Sequence, residues 1–117
     1  MAYNPGLHIL AEFNTKKNEF LLSSDACRKL FSQLVSSHHL TQVGEVYHDF
    51  ETGGFTAIIC LTESHLSIHT WPEFKLATFD IFLSNYQKDN SEKVKAIYNE
   101  VLTFFEGTEI QKHELTR

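Results

Sequence analysis

Phe55-Thr56-Ala57-Ile58-Ile59-Cys60-Leu61-Thr62 contains the longest purely apolar run of a 117-residue chain, and Glu63-Ser64-His65-Leu66-Ser67-Ile68-His69-Thr70-Trp71-Pro72-Glu73 follows it directly. A nearly continuous apolar run of this length, with β-branched and aromatic residues, reads as a buried strand. His65 to Trp71 continues as extended chain, and Pro72 ends it. Two serines, two histidines and two glutamates therefore crowd a short segment beside the core. Polar groups in such a place cost free energy unless they are paired, so the crowding marks a candidate site.

Outward from this stretch, Gly53-Gly54 marks a turn, and Val43 to Phe50 before it is strand-like. On the other side Ala77, Phe79, Ile81 and Leu83 alternate with Leu76, Thr78, Asp80 and Phe82, which predicts another strand. Gly6 to Asn14 reads as a first strand opened by Pro5-Gly6, with a polar linker from Thr15 to Asn18. Ser23 or Ser24 is placed to cap a helix, with Asp25 favouring its dipole. Ala26, Cys27, Leu30, Phe31, Leu34 and Val35 form its apolar stripe, and it ends near Ser37. Asp89 and Glu92 resemble a capping box. Val94, Ile97, Tyr98, Val101, Leu102 and Phe105 trace the second helix, which Gly107 is placed to stop, and Thr108 to Leu115 reads as a last edge strand.

The resulting order is β-α-β-β-β-α-β. It predicts an α/β chain of the α+β type, a two-layer sandwich whose mainly antiparallel sheet carries two helices on one face. Residues 1–117 fit one domain.

Composition narrows the function. A hydrophobic fraction of 42 % with ten Phe excludes a disordered tail. Ten Lys+Arg against fifteen Asp+Glu, with no basic run, leave no footprint for a phosphate backbone, so no nucleic-acid partner is expected. The segment before Gly6 lacks the basic and apolar regions of a secretion signal, and Ala57 to Leu61 is far too short to span a bilayer. Two cysteines make no disulfide framework, and the cytoplasm is the expected compartment.

Taken alone, a histidine at a strand end is most often hydrogen-bonded or exposed. His65 and His69, extended, stand roughly 13 Å apart, too far for one zinc to hold both. His38-His39 ends a helix, where cations are favoured. No metal site is expected.

The string from Glu63 to Glu73 resembles the self-processing signature of the prokaryotic S-adenosylmethionine decarboxylases. Gly6-Leu7-His8-Ile9-Leu10-Ala11-Glu12 resembles that family's first strand, and Phe50 to Leu83 keeps its spacing without a gap.

The resemblance implies a proenzyme cut autocatalytically between Glu63 and Ser64 into segments 1–63 and 64–117. The Ser64 hydroxyl attacks the Glu63 carbonyl and exchanges amide for ester. Loss of the Ser64 Cα proton then eliminates the ester, and hydrolysis of the resulting dehydroalanine leaves a pyruvoyl group at position 64. By resemblance His69 is the processing base, a task that an imidazole pKa near 6.5 suits. In an unbent strand Ser64 and His69 point to opposite faces, so this chemistry needs a kink at the cleavage site. Thr56 stands where the family has a serine that supports the ester, and its other reading is an ordinary β-branched strand residue. In turnover the ketone takes the substrate amine as a Schiff base and accepts the electrons released with CO₂. Phe50 would stack on adenine and Glu73 would bind the ribose hydroxyls, with Trp71 and Glu12 as further substrate contacts.

One position departs from the pattern. The family's proton-donating cysteine falls on Ser84, whose hydroxyl is a far poorer acid than a thiol of pKa about 8.5. Cys27, on a helix stripe, and Cys60, in the apolar strand, offer no evident replacement. The expected activity is decarboxylation of S-adenosylmethionine for polyamine (spermidine) synthesis by a homodimer. Decarboxylation of ornithine or arginine on the same scaffold, and a non-catalytic paralogue that binds a ligand or a partner decarboxylase, are the alternatives that Ser84 leaves open.

Overall fold

The computed structural model describes residues 2–117. In chain order they form β1 (Leu7–Thr15), α1 (Glu19–Leu22), α2 (Asp25–Ser37), β2 (Gln42–Asp49), β3 (Phe55–Leu61), β4 (Ser64–Trp71), a 3-10 turn (Pro72–Phe74), β5 (Leu76–Leu83), α3 (Ser91–Phe105) and β6 (Gly107–Thr116). The strands make one sheet in the order β2-β3-β4-β5-β1-β6, and every neighbouring pair is antiparallel.

The two-layer prediction holds, while the element order needs two corrections, of which the short helix α1 before α2 is the smaller. The apolar run and the segment after it are two strands of a hairpin, β3 and β4, joined through Thr62 and Glu63. Sequence rules look for glycine where a tight turn demands positive φ. Here a serine takes that backbone: Ser64 has φ of +147°. The hairpin was therefore invisible to turn chemistry. At the other end of β3, Gly53 and Gly54 do carry positive φ, +98° and +100°, as a turn there requires.

Alternation decides the faces. Phe55, Ala57, Ile59 and Leu61 of β3, Leu66 and Ile68 of β4, Ala77, Phe79, Ile81 and Leu83 of β5, and Ile9, Ala11 and Phe13 of β1 are all buried on one face. There they meet Cys27, Leu30, Phe31 and Leu34 of α2 and Val94, Ile97, Tyr98, Val101 and Phe105 of α3. Both helices thus bury the stripe that their sequence spacing marks.

Their ends differ from expectation in detail. Ser24 occupies the N-cap position of α2, but its side chain and N–H both bond the Asp49 carboxylate, at 3.1 and 2.7 Å, and tie the helix to the end of β2. Asn90, one residue after Asp89, is the N-cap of α3. Glu106 takes the left-handed conformation that ends α3, with φ of +50°. Gly107 serves a different purpose: a Cβ there would lie 2.6 Å from the Phe13 ring.

The second face of the sheet carries no helix. Its side chains stand in rows that cross all six strands. One row is His48, Thr56, His69, Thr78, Glu12 and Gln111; the next is Val46, Ile58, Ser67, Asp80, Leu10 and His113; the third is Gly44, Cys60, His65, Phe82, His8 and Leu115. Among the described residues no helix is long and apolar enough to cross a membrane.

Candidate active site

The residues that the sequence singles out separate into two groups at opposite ends of the sheet. At one end lies the candidate scissile bond. Ser64 holds a backbone conformation that costs a non-glycine residue about 1–3 kcal/mol, and this strain sits beside the Glu63–Ser64 peptide. The Ser84 N–H donates to the Glu63 carbonyl oxygen at 2.8 Å, drawing electrons from the carbon that a nucleophile would attack. Glu63 Oε1 accepts from the Thr62 hydroxyl at 2.9 Å and from the Thr41 N–H at 3.3 Å, which fixes the turn.

Ser84 is pinned in its turn. Asn90 Nδ2 donates to its carbonyl at 2.8 Å, and the adjacent Asn85 donates to the Pro5 carbonyl at 2.9 Å. A cleft of about 420 Å³ opens beside Ser84, walled by Tyr3 and Tyr86. Neither tyrosine was a sequence candidate. Each lies outside the regular elements, where periodicity carries no signal, and only folding brings the two segments together.

The other end gathers the remaining candidates. Thr56 and His69 are register partners, with Oγ1 and Nδ1 in a hydrogen bond of 2.5 Å. The Trp71 ring centroid lies 6.5 Å from that of His69. Phe50, half-exposed in the β2–β3 turn, packs edge-on against His48 at 4.8 Å. Glu73 is exposed in the 3-10 turn after Trp71, and Glu12 shares the cross-sheet row of Thr56 and His69.

Ser64 and His69 do not meet. They belong to one strand, five residues or about 17 Å apart. The bend expected at the cleavage site comes before Ser64, and β4 then pairs with β5 without interruption from Ser64 to Trp71. Within one chain the candidate base cannot reach the candidate nucleophile.

A further polar cluster on the open face was missed altogether. Asp80 Oδ2 lies 2.9 Å from His8 Nε2 and 2.7 Å from His65 Nε2, and Ser67 donates to Asp80 Oδ1. Burial disfavours the charged form of this carboxylate, but the hydrogen bonds from His65, Ser67 and His8 outweigh it and hold the pKa well below the usual range. Of the two cysteines, one is placed as its helix stripe predicts and the other is not. Cys27 is in the core, where burial pushes its thiol far up. Cys60 is exposed on the open face, the register partner of His65.

Comparisons with known proteins identify the family and the fold. The sequence pattern of a family described as S-adenosylmethionine decarboxylase matches residues 7–117. An S-adenosylmethionine decarboxylase proenzyme of Archaeoglobus fulgidus is 35 % identical over 112 residues, covering 96 % of either chain. One from a Hydrogenobaculum strain is 39 % identical over 82 residues, which make up 70 % of this chain and 61 % of that protein. The crystal structure of the adenosylmethionine decarboxylase from Aquifex aeolicus superposes with a TM-score of 0.80 at 28 % identity, over 99 % of this chain and 91 % of that one. A strained serine after a polarised carbonyl, on a helix-backed antiparallel sheet that the Aquifex enzyme shares, thus occurs in a chain that belongs to the S-adenosylmethionine decarboxylase family.

Proposed function

We propose that this chain is a self-cleaving proenzyme that decarboxylates S-adenosylmethionine for polyamine synthesis, and that it works as a pair of copies packed through their open sheet faces. The observation that carries the reading is the strained Ser64 beside a Glu63 carbonyl held by the Ser84 N–H. Attack by Ser64 Oγ on that carbonyl breaks the C–N bond, releases the strain and leaves an ester, with negative charge building on the oxygen that Ser84 already grips. A base must then remove the Ser64 Cα proton.

That base comes from the second copy. Consider a two-fold axis that lies between two face-to-face sheets and runs across the strands near Ser67. The rotation reverses strand direction and keeps lateral position, so the partner's His69 falls over Ser64 and the partner's Trp71 and Glu73 fall near Ser84. Each pair of copies then has two composite sites. Sheets in such packing lie about 10 Å apart, within reach of opposing side chains. The open face has the apolar surface such a contact needs: Val46 is 63 % exposed, Leu115 51 %, Ile58 39 % and Trp71 39 %. With the Thr56 hydroxyl accepting from Nδ1–H, the basic nitrogen of His69 is Nε2.

The residues at position 64 fit a pyruvoyl group, because serine is its only chemical precursor here and its carbonyl neighbour is already polarised. Once formed, that group supplies an electrophilic ketone and an electron sink. Around it, the cleft walled by Tyr3 and Tyr86 suits a flat heteroaromatic ring and a sulfonium cation better than the short aliphatic chain of ornithine. Glu73 and Phe50 of the partner complete the nucleoside contacts. Two free thiols suit the reducing cytoplasm.

Intact-mass spectrometry of the purified protein tests the reading. The expected result is two chains, one ending at Glu63 and one beginning with a blocked residue 64; a single chain of 13.5 kDa would overturn it. CO₂ release from carboxyl-labelled S-adenosylmethionine, ornithine and arginine then identifies the substrate. Ser84→Cys restores a thiol donor and should raise S-adenosylmethionine turnover about 100-fold, the lower end of the range for a positioned acid. An unchanged rate would show that Ser84 acts only through its backbone N–H.

A further inference from the structure

We propose that His8, His65 and Asp80 form a binding site for a divalent first-row transition metal of the zinc type on the open face of the sheet. The three residues come from β1, β4 and β5, neighbouring strands of one rigid sheet. Their ligand atoms, His8 Nε2, His65 Nε2 and an Asp80 carboxylate oxygen, all lie within 4.8 Å of one another. The imidazole rings meet at right angles, with an interplanar angle of 88° and centroids 5.8 Å apart, so both Nε2 atoms aim at one point instead of stacking. Ser67 holds Asp80 Oδ1 and leaves Oδ2 to face that point.

The chemistry selects the ion. Two imidazoles and a carboxylate suit zinc and its neighbours, whereas magnesium and calcium take oxygen sets. A tetrahedral centre with bonds of about 2.0–2.2 Å spaces its ligand atoms roughly 3.3–3.5 Å apart. Asp80 Oδ2 now lies 2.9 and 2.7 Å from the two nitrogens, which lie within 4.8 Å of each other, so side-chain rotations of about an ångström bring the three atoms to that spacing. The fourth position points away from the core, toward the partner's sheet in the paired copies. In the single chain His65 and Asp80 are partly exposed there, at 36 % and 23 % of their side chains, and a water held between the two sheets would complete the set.

His8 is itself almost fully buried, and its Nδ1 has no partner. That ring is therefore fixed by packing and by its Nε2 contact alone, which gives the site one preset ligand. Cleavage between Glu63 and Ser64 would put His8 on one product and His65 with Asp80 on the other. On that reading, a bound metal bridges the two segments and fixes the residue next to position 64.

The binding itself does not depend on cleavage, so it is measured on the uncut Ser64→Ala protein. After dialysis against a chelator, zinc titrated in a calorimeter should bind one per chain at micromolar strength or tighter, and cobalt(II) should give the intense visible bands of a tetrahedral site. His65→Gln and Asp80→Asn should each weaken binding about tenfold or more, while His38→Ala, on the helix side, should not. Absence of saturable binding at submillimolar zinc, or binding that survives both His65→Gln and Asp80→Asn, overturns the proposal. His65 is only half-buried, so its variant keeps the test decisive if the Asp80 variant fails to fold. Cleavage of the wild-type protein is scored separately, by mass, and fails or succeeds without reference to zinc.

Discussion

When Ser64→Ala and His69→Ala chains are refolded together, about half of the His69→Ala chains should become cleaved, although neither variant processes alone. The Ser64→Ala chain has lost its nucleophile and stays intact in every combination. The His69→Ala chain retains Ser64 and lacks only a base, which its partner supplies when the two kinds pair. Random pairing puts half of the His69→Ala chains in mixed pairs, and intact-mass spectrometry distinguishes the two by their substitutions. The prediction follows from the roughly 17 Å between Ser64 and His69 on a continuous strand. A site built within one chain gives no cleavage in the mixture, and that outcome would remove the paired-copy arrangement while leaving the family assignment untouched.

Truncation of Phe13 to alanine is expected to have the largest effect on stability. Phe13 is fully buried at the C-terminal part of β1, with its ring centroid 5.6 Å from that of Phe105 in α3. Gly107 lies so close to the ring that no side chain fits there. Removing the ring should cost about 3–5 kcal/mol, a large share of the roughly 5–15 kcal/mol that a domain commands. At about 4 °C per kcal/mol for a chain of this size, the melting temperature should fall by roughly 12–20 °C. The measurement belongs in the Ser64→Ala background, where one covalent chain keeps unfolding simple. Ile110→Ala, at a half-exposed position of β6, serves as the comparison and should stay within about 0.5 kcal/mol. A loss below about 1 kcal/mol at Phe13 would mean that α3 closes over the gap.

Much of the architecture was written in local patterns. The stripes Cys27-Leu30-Phe31-Leu34 and Val94-Ile97-Tyr98-Val101 bury the faces that their spacing marks, because a helix returns its side chains to one side every three to four residues. Leu76 to Leu83 alternates in sequence and in burial alike, since successive strand residues face opposite ways. The family likeness of the Glu63–Glu73 string was legible too, because likeness is a property of the string itself.

The hairpin at Thr62-Glu63 was hidden, since the residue that adopts positive φ is a serine and nothing local advertises it. Position 84 was read through its missing thiol, whereas folding gives its N–H a partner in Glu63. His8 and Asp80 stand 72 residues apart and meet through the pairing of β1 with β5, which no short window contains.

The sequence by itself determined the two long helices, the run of extended segments, which side of each turns inward, and which family the chain joins, because these are properties of the string and of neighbours within a few positions. Tertiary structure alone decided that Ser64 and His69 lie at opposite ends of one strand, that Ser84 grips the carbonyl of Glu63, and that two histidines converge on Asp80. Those relations arise from strand pairing across the whole chain, where separation in space no longer follows separation in sequence.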